Sequence, residues 1–244
     1  MQPKHTQALE KSDLMLLRNI VNGHSKTALE AFYLEFAVYP IKFQMVIRRL
    51  MFLWHVLHRD TSELIRKIYE MQKLKSCKGD WVLAVEEDKV KFGITESDFE
   101  ITAMSKEKFK AIIREKIDYH VVQSLNNIAE NHSKSEKLIN YEFKRKAYLT
   151  DRRFTKEDVQ ILFSLRTKMF DCKTNFQNQY KDDLTCRVCK AITSVENEDH
   201  LLLCEELNNK KYDVQFSDVF GNTDQQYNAV IALKTSFETK KSIF

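Results

Sequence analysis

Cys186 and Cys189 stand two residues apart, and His200 and Cys204 follow, in the pattern Cys-x2-Cys-x10-His-x3-Cys. No other feature restricts folding so tightly. Four side chains from two separate segments must converge on one point if they act together. The residue types and spacing are those of a closed tetrahedral zinc site. A Cys-x2-Cys turn presents two sulfurs at the separation an ion requires. His200 and Cys204 are i and i+4, so one helical face carries both. The run Glu198-Asp199-His200-Leu201-Leu202-Leu203 reads as a helix start, acidic first and apolar after. Four protein ligands leave no position for water, so the predicted Zn2+ is structural rather than catalytic. Metal binding by such segments is worth roughly 10–16 kcal/mol, comparable with the stability of a whole domain, about 5–15 kcal/mol. The competing reading is three small buried thiols and an unrelated histidine. The polar stretch around Cys186 and Cys189 argues against it, and the segment from Asp182 to Asn209 is too short and polar to fold without a staple.

Elsewhere the chain reads as helix. Only 4 Gly and 2 Pro in 244 residues argue against a sandwich, a Rossmann fold or any loop-rich architecture. The predicted fold is all-α, an irregular multi-helix assembly with a small zinc-stapled C-terminal module. Its expected parts are a helical connector region over 1–175, the zinc module over 176–210 and a helical tail over 211–244. Glu10 to Val21 is amphipathic and stops at Asn22-Gly23. Thr27-x-x-Glu30 and Thr155-x-x-Asp158 read as capping boxes. Ile41 to His58 forms a long apolar helix, Ser62 to Leu74 another, and Asp80 caps Trp81 to Phe92. Ser105 opens the longest helix, with Phe109, Ile113, Ile117, Val121 and Leu125 on one side. A last helix runs from about Asp224 to Lys240, and Tyr212 to Val219 reads as a short strand or loop.

No 18-residue apolar run is present, which excludes a transmembrane helix. The polar start, Met1-Gln2-Pro3-Lys4-His5, has no signal-peptide core. Five cysteines without that signal fit a reducing intracellular compartment, nuclear or cytoplasmic, with Cys77 and Cys172 as plain thiols.

Charge is unevenly spread. Lys42 to Lys78 holds nine cations against three acids, and Lys134 to Lys156 holds eight against three, whereas residues 181–244 are mildly acidic. Within the first stretch, Arg48, Phe52, His55 and Arg59 share one helical stripe, with Arg49 beside it, while Val46, Leu50, Leu53, Trp54 and Leu57 take the opposite face. A cationic stripe containing an aromatic ring suits a phosphate backbone. A plain solvated helix face is the simpler alternative. Lys144, Arg145, Lys146, Arg152 and Arg153 form the second basic candidate. Trp54 and Trp81 read as core anchors.

Two short motifs invite over-reading. Gly23-His24-Ser25-Lys26-Thr27 is echoed by Asn131-His132-Ser133-Lys134-Ser135, and either turn has groups for a phosphate. Helix capping explains both. Tyr180-Lys181-Asp182-Asp183 matches the metal-holding box of polymerases. That box needs a hairpin between apolar strands, and these flanks are polar, so it reads as a linker.

Several segments in order resemble the region after the polymerase palm in non-LTR retrotransposon reverse transcriptases. They are Ala28-Leu29-Glu30-Ala31-Phe32-Tyr33-Leu34-Glu35, Pro40-Ile41-Lys42-Phe43, Arg48-Arg49-Leu50-Met51-Phe52-Leu53-Trp54-His55-Val56-Leu57, Lys78-Gly79-Asp80-Trp81, His132-Ser133-Lys134 and Leu162-Phe163-x-Leu165-Arg166-Thr167-Lys168. The Cys-Cys-His-Cys group falls where those proteins carry a zinc motif. The resemblance covers nearly the whole chain. It implies a thumb-like part that helps hold template–primer, RNA or target DNA. The palm aspartates would belong to an upstream polymerase domain, and no acid-acid-lysine nuclease constellation follows Cys204. The expectation is therefore a non-catalytic, retroelement-derived nucleic-acid-binding segment, with RNA or DNA as partner and no small-molecule substrate. The alternative is a zinc-stabilised module that binds a protein partner.

Overall fold

The computed structural model describes residues 3–75, 77, 79–99, 105–131, 138, 143–180, 183–207 and 213–241. The chain is all-α, as expected. Its helices are α1 (Pro3–Val21), α2 (Leu29–Phe36), α3 (Ile41–Leu57), α4 (Leu64–Leu74), α5 (Trp81–Phe92), α6 (Lys106–Glu130), α7 (Lys156–Arg166), α8 (Gln177–Tyr180), α9 (Glu198–Leu203) and α10 (Thr223–Lys241). Short 3-10 turns join them. Among the described residues there is no strand, only an isolated antiparallel bridge between Thr185 and Val195. Of the expected strand or loop from Tyr212 to Val219, residues 213–215 are loop and Phe216–Phe220 is a 3-10 turn, while Tyr212 lies outside the described residues. No helix among the described residues is long and apolar enough to cross a membrane.

Two compact units form. The first comprises Met1–Asp13, Tyr39–Asn127 and Tyr141–Phe143, and the second Leu14–Val38, Ile128–Asn140 and Lys144–Phe244. The boundaries expected after residues 175 and 210 both fall inside the second unit.

In the first unit, Pro40 sets the entry to α3 with φ −49°. Phe43, Val46, Ile47, Leu50, Leu53 and Val56 supply its buried face. α3, α4 and α5 pack against one another. Aromatic contacts join α3 to its neighbours: Phe43 meets Phe92 of α5 at 6.2 Å, and Trp54 stacks near Phe109 of α6 at 6.1 Å. Arg49 clamps α3 to α5 through a two-pronged bond to Asp88, at 2.7 and 3.0 Å. Ser105 caps α6 as expected, its hydroxyl accepting from the Lys108 amide at 3.2 Å. Asp80 does occupy the N-cap of α5, but its carboxylate accepts from the Cys77 amide instead of capping the helix.

In the second unit, every residue of α2 from Glu30 to Phe36 is buried. A helix enclosed on all sides explains its near-continuous apolar run. The expected Thr27 capping box is absent. α2 starts one residue later with Ala28 at its N-cap, and the Thr27 hydroxyl is buried without a partner. The Thr155 box is fully formed: Thr155 Oγ1 accepts from the Asp158 amide, and Asp158 Oδ2 accepts from the Thr155 amide. α1 ends where Asn22 takes a left-handed φ of 47°. One apolar core then links α7, α9 and α10 with the turn at 216–220, through Leu162, Leu165, Leu201, Leu202, Val219 and Leu233.

Candidate metal centre and basic faces

The four sequence-predicted ligands come together. The sulfurs of Cys186, Cys189 and Cys204 and a ring nitrogen of His200 all lie within 4.8 Å of one another. Cys189 Sγ and His200 Nε2 are 3.5 Å apart. A tetrahedral ion with bonds of about 2.0–2.3 Å requires ligand separations of about 3.5–3.8 Å, so a small inward movement closes the site. All five cysteines are free thiols. The cluster can hold a metal ion.

Local structure produces the convergence. From Cys186 the chain turns back on itself, the Lys190 amide donating to the Cys186 carbonyl at 3.0 Å. Lys190 itself takes a left-handed φ of 54°. The Val188 amide points at Cys186 Sγ, 3.4 Å away. Two backbone bonds close the loop as a small hairpin: the Cys186 amide to the Ser194 carbonyl and the Glu196 amide to the Leu184 carbonyl, each 2.8 Å. Asn197 then caps α9, its side-chain oxygen accepting from the His200 amide at 2.7 Å. That cap fixes where His200 begins its helical turn. Cys204 ends the helix in an extended conformation rather than continuing the face. Burial pushes the Cys189 thiol upward. The Ala191 amide and the Ser194, Cys186 and Cys204 side chains outweigh that and hold it below the usual thiol range.

Sequence reasoning missed how deeply the site is built in. Cys186 and Cys204 are each 1% exposed and belong to the apolar core, beside Leu201 and Leu202. The ligand segment is therefore not an appended polar module. It also missed Arg187, whose amide donates to Glu196 Oε2 at 2.7 Å and whose Nε donates to Glu196 Oε1 at 2.8 Å. Opposite charges nine residues apart across a hairpin were the available signal. Burial pushes the Cys172 thiol up to about 11, with the Glu198 charge adding to it, so Cys172 stays protonated. Asp183 is held below the usual carboxylate range by Lys173, whose ammonium donates to it at 2.8 Å. Lys181 and Asp182 of the polymerase-like box, and residues 132–135 of the short echo, lie outside the described residues.

The stripe on α3 faces solvent. Arg48, His55 and Arg59 are exposed, and Phe52 is 45% exposed with its ring edge-on to Trp81 at 5.2 Å. Arg59 donates to the His55 ring at 3.3 Å and pairs with Glu63 at 3.7 Å. Arg49 is engaged by Asp88. In the second unit, Lys144, Arg145 and Arg152 are exposed and Lys146 is half-buried. Arg145 Nε reaches the Phe36 carbonyl at 3.4 Å. Arg153 is held by Asp151 and Asp224, which raise its pKa further. The first stripe lies wholly in one unit and the second group wholly in the other.

No protein-family model, no curated protein and no solved structure matches the chain.

Proposed function

We propose that this chain is a non-catalytic nucleic-acid-binding segment braced by a structural Zn2+, of the kind that follows the polymerase palm in non-LTR retrotransposon reverse transcriptases. The observation that carries this reading is the solvent face of α3, with Arg48, Phe52, His55 and Arg59 in line on a helix whose other side is core. Cations on an already folded helix meet phosphates without the backbone having to order, and Phe52 adds a surface for a base or sugar. Zinc suits the ligands best, because three thiolates and an imidazole in a closed tetrahedron favour it over harder ions. Cys186, Cys189, His200 and Cys204 would hold it, and it would supply rigidity rather than chemistry.

Binding should weaken steeply as salt rises, because each phosphate contact releases counterions. In fluorescence anisotropy with labelled RNA and DNA, Arg48→Ala/Arg59→Ala should flatten the slope of log affinity against log salt by roughly 1–2. Absent or salt-independent binding would sink the proposal. It would favour a second reading, a zinc-stabilised protein-interaction module. α4 supports that alternative, because Leu64, Ile68, Met71 and Leu74 stand exposed on it.

A further inference from the structure

A cleft of about 560 Å³ opens in the second unit, within the size range of small-ligand sites, about 300–1,000 Å³. It is lined by two lysines, one aromatic ring, a nearly buried carboxylate and a run of side-chain amides. Lys26 comes from the turn before α2, whose shape is set by two bonds to His24. The Lys26 amide donates to His24 Nδ1 at 3.1 Å, and the Thr27 amide donates to the His24 carbonyl at 3.0 Å. His24 in turn meets Phe176 edge-on at 5.6 Å and braces that ring. Lys168 enters from the end of α7 with a left-handed φ of 51°. Glu198 is only 7% exposed, yet it lines the cleft. Asn175 Nδ2 donates to its Oε1 at 2.7 Å, and no described residue donates to its Oε2. The side-chain amides of Gln177, Asn178 and Gln179 and the Lys26 ammonium have no hydrogen-bond or ion-pair partner among the described residues.

We infer that this cleft holds one nucleotide of a single strand, and that the nucleotide carries a base with an exocyclic amino group. The assignment rests on the nucleic-acid reading above and adds a second, base-sensing site to it. Phe176 offers the stacking surface that single-stranded binders use. Lys26 and Lys168 offer charge to the flanking phosphates. A carboxylate accepts from an amino group such as cytosine N4 and has nothing to offer a carbonyl in the same place, so the free oxygen of Glu198 sets the preference. The amides serve the remaining base edges. The turn that carries Lys26 thus gains a role beyond helix capping.

The test compares octacytidylate with octauridylate on the full chain by fluorescence anisotropy, since those bases differ at the position Glu198 would read. Octacytidylate should bind roughly tenfold tighter. Glu198→Gln should erase the difference. Phe176→Ala should weaken both strands roughly tenfold, and Lys26→Ala should lower the salt slope by about one. Lys26 is exposed, so its variant stays folded even if Glu198→Gln does not. Equal affinity for the two strands, a preference that survives Glu198→Gln, or affinities left unchanged by both Phe176→Ala and Lys26→Ala, overturns the assignment. Shifts of the amide resonances of 174–179 by cytidine monophosphate, without octacytidylate binding, assign the cleft to free nucleotides and overturn the strand reading. Arg48→Ala/Arg59→Ala separates the two proposals, because it should retain the cytosine preference. Salt-steep binding without a base preference leaves the general reading standing and this one refuted. Absent or salt-independent binding of both strands refutes the general reading and this one with it.

Discussion

Glu35 and Arg166, 131 positions apart, meet as a two-pronged ion pair inside the second unit. Arg166 Nε and Nη2 donate to the two Glu35 oxygens, each at 2.9 Å, and both side chains are almost wholly enclosed. Arg166 Nη1 donates to the Val219 carbonyl at 2.8 Å, and Tyr148 Oη donates to Glu35 Oε2 at 2.7 Å. The guanidinium also lies 4.7 Å above the Phe220 ring. Burial by itself would lower the Arg166 pKa, but the Glu35 charge outweighs it and raises it. Burial and the same charge push the Tyr148 hydroxyl upward, so it remains a donor. The pair ties α2 to α7, and through Val219 to the turn before α10.

Breaking one half of that pair leaves an unpaired buried charge, which costs about 3–5 kcal/mol. Glu35→Gln is therefore expected to lower the urea midpoint strongly, whereas Glu35→Leu/Arg166→Met should recover most of the loss. A Glu35→Gln protein that unfolds like the wild type would show that the pair carries no stability.

Removing an ion held by the four side chains should loosen the second unit and not merely a loop, because Cys186 and Cys204 sit within its apolar core. Elemental analysis is expected to give one zinc per chain, lost in Cys189→Ser/His200→Ala. Chelation should lower the melting temperature and expose amides of α9 and α10 to hydrogen exchange. A metal-free protein that melts with the loaded form refutes the structural role.

Asp158 links the start of α7 to α10, accepting from Thr155 and pairing with Lys234 at 2.6 Å. Burial raises its pKa, but the bonds from Lys234 and Thr155 outweigh that and hold it below the usual carboxylate value. A depressed folded pKa means the folded state binds fewer protons. Its stabilisation is full above the unfolded value of about 3.9 and disappears as pH falls through the folded value. Asp158→Asn is expected to cost about 1–2 kcal/mol at pH 7 and nothing extra at pH 2, by denaturant titration across pH. An equal loss at both pH values would count against the ionised cap.

Gly23 lies where a side chain does not fit. A Cβ there would stand 2.7 Å from Phe32 Cζ, and Phe32 is fully buried against Phe163 at 5.0 Å. Gly23→Ala is expected to lower stability by about 1–3 kcal/mol through overpacking, read as a drop in melting temperature.

Where local chemistry decides, the sequence was legible. The span of α3 followed from its apolar period, and Ser105 and Thr155 marked their helices because a hydroxyl three residues before an amide can cap it within one turn. The ligand set was legible for the same reason, since knuckle and capped helix are both short-range structures. The matching Thr27 box misled because packing buried the Thr27 hydroxyl and moved the start of α2.

By itself, then, the sequence determined the all-α class, most helix starts and the identity of four converging side chains that can hold a metal ion. Those depend on residues close together in the chain, the four from Cys186 to Cys204 being the widest set. Only the tertiary structure decided that Cys186 and Cys204 are core, that Glu35 answers Arg166, that Arg49 is committed to Asp88 while Arg48 is exposed, and that Lys26 and Glu198 share one cleft. Each joins residues distant in the chain or divides neighbours between opposite fates. Such outcomes follow from which surfaces find one another on folding, and no local pattern records that.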